Sequence, residues 1–372
     1  RMENSVLFVC GTFLHHDLKL KRSRICRTQH VLYCLDLSLD EFGVHRAYKR
    51  LQNVVVHTPL LENVFLNELV NGRVFIKAEC LQKSGSFKFR GASHAMVTIA
   101  KDASHVVAFS SGNHAQAVAL AARNHDKLAT IIMPSDAPMT KLMNTKAYGA
   151  NIVLYDRISD SREELAQHTM DLIRMQSGIE PTLIKPFDEP AVILGQGSAG
   201  VEIGNDLESL GISPDVLLCC VSGGGLISGL TIALNKKFPQ MKIHCVEPDG
   251  YDDFGRSMES GFIQRNRKRS KSESICDALL SPHPGKYPFQ VCSPVIQKGL
   301  RGSDEDARLG MHFAWKYLKI VLEPGGALPL GVLLSKKMDF QGKTVVVMAS
   351  GGNVDPEIFQ SALNSLLSPN IS

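Results

Sequence analysis

Lys88 stands where a lysine is seldom left idle. It lies between Phe87 and Phe89, behind Ser84-Gly85-Ser86 and ahead of Arg90-Gly91-Ala92. The apolar run Val74-Phe75-Ile76 leads in and predicts a strand, while Ala92–Val97 leads out and predicts a helix. Lys88 is therefore expected at or near a helix start, in an apolar setting. Desolvation and the positive end of a helix dipole both disfavour an ammonium there. A lysine whose pKa falls from about 10.4 towards neutrality presents a free amine, as Schiff-base chemistry requires. A stem lying on apolar surface with its head in water fits the same stretch.

Three more turns follow strand-like runs and carry small polar groups. Ser110-Ser111-Gly112-Asn113-His114 comes after Val106–Phe109. Its glycine lets backbone approach a ligand, Asn113 can donate and accept, and Ser111 offers a hydroxyl; helix capping by Ser or Asn is the plain alternative. Ser222-Gly223-Gly224-Gly225-Leu226 comes after Val216–Val221. Three glycines opening a helix expose N–H groups in a concave array suited to phosphate, a tight turn being the alternative. Ser228 breaks the dinucleotide fingerprint, and no Gly-Lys-Ser/Thr follows, so the phosphate is not that of NAD or ATP. Ala349-Ser350-Gly351-Gly352-Asn353 comes after Thr344–Met348, with Asp355-Pro356 to open the next helix. An amine, a phosphate cradle and small polar groups at strand ends are the parts needed to hold pyridoxal 5′-phosphate as a lysine Schiff base.

The elements that position these residues alternate. Strands are expected at Ala129–Met133, Ile152–Tyr155 and Lys242–Val246, and helices at His114–Asn124, Met139–Tyr148, Ser161–Gln176 and Ile227–Lys236. Such alternation implies an α/β fold, with a mostly parallel sheet covered by helices on both faces. Ser38-Leu39-Asp40-Glu41 reads as a capping box ahead of a helix, and Ser161 with Glu164 as a second. The 372 residues suggest two domains or one lobed domain, and 44% hydrophobic with 21% charged residues is ordinary for a globular enzyme. A net charge of +4 does not point to nucleic acid, and no apolar run approaches the ~20 residues of a membrane span. Nine cysteines without a CxxC pair argue against a zinc site and for a reduced compartment. Residues 1–37 read as an unassigned leader; their basic stretch also fits a mitochondrial targeting segment, the alternative to a cytoplasmic location. Arg265–Lys271 reads as a solvated basic loop, and Ser368–Ser372 as a frayed end.

From about Ser38 to Phe359 the chain resembles the fold-type II pyridoxal-phosphate-dependent serine/threonine dehydratases, a group that includes serine racemases. The motifs that carry the resemblance are Ser84–Ala92, Ser110–Gln116, Gly195–Ser198, Ser222–Leu226, Glu323–Ala327 and Ser350–Asn353. The resemblance implies a tryptophan synthase β-like fold of two open, twisted, mostly parallel sheets. It implies a large cofactor-binding domain at 38–100 and 185–372 and a small one at 101–184. Lys88 would carry the cofactor with Phe89 beside its ring, and Asn113 would meet the ring hydroxyl. Gly223, Gly224, Gly225 and Leu226 would hold the phosphate, and Ser350 the pyridine nitrogen. Ser111, Gly112 and His114 would hold substrate, with Arg162 a further candidate. Lys88 would also act as general base, and the products would be a 2-oxo acid and ammonia. L-Threonine would give 2-oxobutanoate and L-serine pyruvate. Ser111 and Arg162 keep racemisation, or elimination from 3-hydroxyaspartate, in play, and a non-catalytic binding protein is the alternative from another class. Glu247, Asp253 and the Tyr251 carbonyl resemble a site for Mg²⁺ or Ca²⁺. A homodimer is implied, and, with no regulatory domain after Ser372, no isoleucine feedback is expected.

Overall fold

In the computed structural model, residues 37–266, 274–296 and 298–365 are described below. The leader before Leu37, most of the basic loop and the C-terminal tail lie outside the described residues. The strands in chain order are β1 (Leu60–Glu62), β2 (Arg73–Ala78), β3 (His105–Phe109), β4 (Leu128–Pro134), β5 (Asn151–Tyr155), β6 (Thr182–Leu183), β7 (Val216–Cys220), β8 (Lys242–Pro248), β9 (Leu300–Gly302) and β10 (Thr344–Ala349). The helices are α1 (Glu41–Leu51), α2 (Val64–Val70), α3 (Lys88–Met96), α4 (Asn113–Arg123), α5 (Met139–Ala147), α6 (Arg162–Ser177), α7 (Pro190–Ser209), α8 (Gly225–Leu234), α9 (Asp253–Ser260), α10 (Lys286–Cys292), α11 (Asp304–Phe313), α12 (Pro324–Leu334) and α13 (Pro356–Ser365).

Two sheets result, as expected. One has the order β1-β2-β10-β7-β8-β9 and the other β5-β4-β3-β6. Every pairing is parallel except the edge strand β1 against β2. Strands covered on both faces read as continuous apolar runs, and Val345-Val346-Val347-Met348 of β10 is wholly buried. Parallel strands in one sheet direct their carboxyl ends to one side, which is where ligands gather in open α/β sheets.

Helix starts differ in detail from the sequence reading. α1 begins at Glu41, capped by Asp40 and not by Ser38: Asp40 Oδ1 accepts from Gly43 N at 2.8 Å. Ser161 caps α6 by accepting from Glu164 N at 3.3 Å. The 20-residue helix α7 has no counterpart among the expected elements. Glycine lowers helix propensity by about 1 kcal/mol relative to alanine, and α7 contains Gly195, Gly197, Gly200 and Gly204. The reason for them is tertiary. A Cβ on Gly195 would lie 2.7 Å from Gly91 Cα, and one on Gly229 would overlap Gly197 N. Bare backbones therefore seat α3 and α8 directly against α7.

A buried ionic cluster completes the seating of α3. Arg90 donates to Glu79 through Nε at 2.8 Å and Nη2 at 2.7 Å, and its Nη1 lies 2.7 Å from Glu202 Oε1 on α7. Lys77 of β2 pairs with Glu202 Oε2 at 2.7 Å. Burial opposes ionisation of Glu79, yet Arg90 holds its pKa below the usual carboxylate range. Two cations and two carboxylates thus lock β2, α3 and α7 together, two residues beyond Lys88.

Candidate active site

The carboxyl ends of β3, β7 and β10 face one open cleft. It gathers residues that are far apart in the chain: Lys88, Ser111, Gly112, Asn113, His114, Arg162, Gly223–Leu226 and Ser350 all line it. Phe89 does not. It is fully buried, and Phe87 stands on the cleft wall in its place. Phe87 precedes the helix, whereas Phe89 falls inside the first turn of α3.

Lys88 opens α3 without a side-chain cap. Its loop is held by neighbouring backbone: Ser86 bridges to Gly351, and Phe87 N donates to the Ser350 carbonyl at 3.0 Å. The amine donates to the Pro186 carbonyl at 2.8 Å and lies 5.1 Å from the Phe87 ring centre. Burial brings its pKa down to about 8, with the Cys220 and Glu323 side chains opposing the fall. Roughly a tenth of the amine is then free at pH 7, far more than for an ordinary lysine.

The glycine turn suits an anion. Gly224 adopts φ 97° and α8 starts with no side-chain cap, so the first-turn amides are left open. Side chains are excluded there: a Cβ on Gly223 would overlap the Phe187 ring, and one on Gly224 would overlap Phe254 Cε2. At the end of β10, Ser350 Oγ accepts from the Cys220 thiol at 3.1 Å and keeps its own proton to give. This set of an amine, open backbone donors and a neutral hydroxyl fits pyridoxal phosphate.

Asn113 is held at both ends. Its Nδ2 donates to Glu323 Oε1, and its Oδ1 accepts from Asn353 Nδ2 at 2.9 Å. Asn353 Nδ2 also donates to the Ser84 carbonyl at 2.8 Å, which ties the Lys88 loop to the Asn113 loop. His114 is buried, and its Nε2 donates to the Ile184 carbonyl at 2.9 Å. Burial first, then Lys88, push the imidazole down to about 3, so it stays neutral. The Nδ1 atom is then a buried acceptor without a partner. Ser111 is half-buried at the cleft. Arg162 sets its guanidinium 5.0 Å from the Phe109 ring centre while its Nε donates to Glu163 at 2.8 Å.

The acidic loop after β8 does not support the divalent-cation expectation. Both Glu247 oxygens accept backbone amides, from Phe254 at 2.8 Å and Gly255 at 2.7 Å, so this carboxylate serves the first turn of α9. Asp253 Oδ1 accepts from Asn266, while its buried Oδ2 has no hydrogen-bond partner, and Glu247, Tyr251 and Asp253 all lie away from the cleft wall. Among the described residues no three His, Cys, Asp or Glu side chains converge as metal ligands would.

Several cleft residues escaped the sequence reading. Arg157, Lys141, Asp277, Cys220 and Glu323 all line it. Glu323 and Asn353 had a signal, since both stand in glycine-containing motifs. Lys141 and Arg157 had none, because neither a helical lysine nor a loop arginine declares its burial or facing.

The chain is similar to known proteins over most of its length. The model of the family described as pyridoxal-phosphate dependent enzyme matches residues 51–351. An L-threo-3-hydroxyaspartate ammonia-lyase from Pseudomonas sp is 38% identical over 86% of this chain and 97% of its own length. A serine racemase from Schizosaccharomyces pombe is 36% identical over 86% of this chain and 96% of its own. The crystal structure of a threonine deaminase from T.th. is similar with a TM-score of 0.76 and 34% identity, over 85% of this chain and 99% of that one. The chain belongs to the fold-type II family of pyridoxal-phosphate-dependent enzymes.

Proposed function

We propose that the chain is an ammonia-lyase acting on 3-hydroxy α-amino acids, with L-threo-3-hydroxyaspartate as the best-supported substrate and threonine and serine as poorer ones. The observation that carries this reading is the arginine pair: Arg157 and Arg162 line the same cleft as the Ser111–His114 loop. One carboxylate can be met by the loop and a second by guanidinium, which favours a dicarboxylic substrate. The sequence reading puts threonine first and keeps 3-hydroxyaspartate in play through Ser111 and Arg162; Arg157 reaches the cleft only through the fold. The name of the Pseudomonas relative points the same way.

Pyridoxal phosphate bound here would supply the sink for electrons released at the substrate Cα. The remaining work falls to side chains. Lys88 would hold the cofactor and, once displaced by substrate, take the α-proton; a pKa near 8 leaves it basic enough and partly free at neutral pH. The amides of Gly223–Leu226 would bind phosphate at the start of α8. Ser350 would give a neutral hydrogen bond to the pyridine nitrogen, which restrains charge build-up and favours departure of the β-hydroxyl. His114, neutral throughout the ordinary pH range, would brace the loop and carry no proton in the reaction.

A panel of L-threo-3-hydroxyaspartate, L-threonine and L-serine, assayed for 2-oxo acid and ammonia, tests the reading. The expected order of kcat/KM is hydroxyaspartate first. Threonine turned over at least as well as hydroxyaspartate would overturn that order, and absence of ammonia from all three would overturn the lyase. A second reading rests on Ser111, whose hydroxyl is half-buried in the cleft and could serve the substrate from the side away from Lys88. D-Serine formed faster than pyruvate, and lost in Ser111→Ala with elimination retained, would select racemisation.

A further inference from the structure

Lys141 is the cleft cation with no assigned task. Its side chain is 2% exposed, and its Nζ lies 2.8 Å from Asp277 Oδ2 and 3.0 Å from Glu323 Oε2. The stem runs against the bare Cα of Gly112: a Cβ there would stand 2.5 Å from Lys141 Cδ. Lys141 belongs to α5, which follows β4 of the four-stranded sheet, whereas Glu323 opens α12 beside the six-stranded one. The ammonium therefore bridges the two sheets' helices across the cleft. Its partner Glu323 accepts the Asn113 amide, whose other end is held by Asn353. The contacts form one line: Lys141, Glu323, Asn113.

We propose that Lys141 is a positioning residue: it keeps Glu323 a carboxylate, and Glu323 in turn fixes the Asn113 amide at the cofactor site. The proposal rests on the reading that Asn113 faces the ring of bound pyridoxal phosphate. Charges that bear on Glu323 come from several elements. Lys141 on α5 and Lys88 at the start of α3 favour its ionisation. Asp277, and Cys80 and Cys220 if ionised, oppose it. Burial opposes it most and holds its pKa above the usual carboxylate range even with Lys141 beside it. Without that cation the carboxyl becomes protonated at higher pH still. A protonated carboxyl can donate instead of accepting, and the Asn113 amide loses the acceptor that orients it.

Lys141→Met, Lys141→Arg, Glu323→Gln and Lys141→Met/Glu323→Gln test this by titrating pyridoxal phosphate into each cofactor-free chain across pH, alongside kcat/KM. Lys141→Met is expected to weaken cofactor binding of the order of tenfold at neutral pH, with recovery as pH rises and Glu323 ionises again. Lys141→Arg should stay near the parent profile. Glu323→Gln and the double variant should share one profile without that ionisation. An unchanged dissociation constant and pH profile in Lys141→Met would overturn the proposal. If Lys141→Met does not fold, the double variant, which removes both charges, is compared with Glu323→Gln, and any difference in their pH profiles would overturn it. A parent chain that binds no pyridoxal phosphate defeats the underlying reading instead.

Discussion

Two buried ionic clusters flank Lys88, and they differ in balance. The one under α3 has Arg90 and Lys77 against Glu79 and Glu202, two sealed charges of each sign, with half-buried Asp206 at its rim 3.8 Å from Lys77. The one on the cleft wall has Lys141 against Glu323 and Asp277, one cation for two carboxylates. In the first cluster Arg90 meets carboxylates through three of its donors at 2.7–2.8 Å, a fork geometry that holds helices in register. In the second, a lysine provides a single point charge, and the Glu323 carboxylate also bears on the Lys88 amine. A closed, balanced cluster can only hold structure. An unbalanced one beside a cleft can also set the charge of its neighbours. The comparison assigns stability to Arg90 and site electrostatics to Glu323 and Lys141.

The largest expected effect lies between the clusters. Lys88→Ala should lose turnover by about 10⁴-fold or more, together with the absorbance of lysine-bound cofactor. Retained turnover would end the role of Lys88. Next, Arg90→Met should lower unfolding free energy by about 3–5 kcal/mol, because Glu79 is left buried without its paired cation and Glu202 keeps only Lys77. Urea denaturation measures this, and a stable Arg90→Met chain with impaired cofactor binding would reverse the assignment of the two clusters. Arg162→Ala should then lower kcat/KM for 3-hydroxyaspartate by about 10–100-fold, the loss of a charged hydrogen bond, while serine turnover changes little. Equal losses on both substrates would place Arg162 outside substrate selection.

The smallest effect concerns pH. Lys88 has a folded pKa of about 8, below its unfolded value of about 10.4, so the folded chain binds fewer protons between the two. The resulting destabilisation is fully present below pH 8 and disappears as pH rises through 10.4. Lys88→Met should therefore stabilise the cofactor-free chain at pH 7, a gain that fades in alkali. A gain that is the same at pH 7 and pH 10.5 would show that the amine is not desolvated.

Much of the site was legible because it is built from local grammar. The Gly223–Gly225 turn, Ser350 and Asn113 each sit at the end of an apolar run, and β7, β10 and β3 formed where those runs predicted strands. α7 was not legible: its glycines argue against a helix over short range, and only the contacts with Gly91 and Gly229 explain them. The metal expectation gains no support, and the sequence shows why it arose. An acidic loop looks the same in sequence whether its carboxylates await a cation or, as with Glu247, accept the amides of the next helix.

By itself the amino-acid sequence determined the alternation of strand and helix, the four functional turns and the type of chemistry that an amine and an anion cradle can perform. These depend on residues within about ten positions of one another, where periodicity and turn preference act. Tertiary structure alone decided that Phe87 and not Phe89 meets the cleft, that Arg157 joins Arg162, and that Lys141 is buried between two carboxylates. The physical reason is desolvation. The charge state of a buried group depends on which distant neighbours exclude water from it, and Lys141 meets Glu323 only when the two sheets are in place.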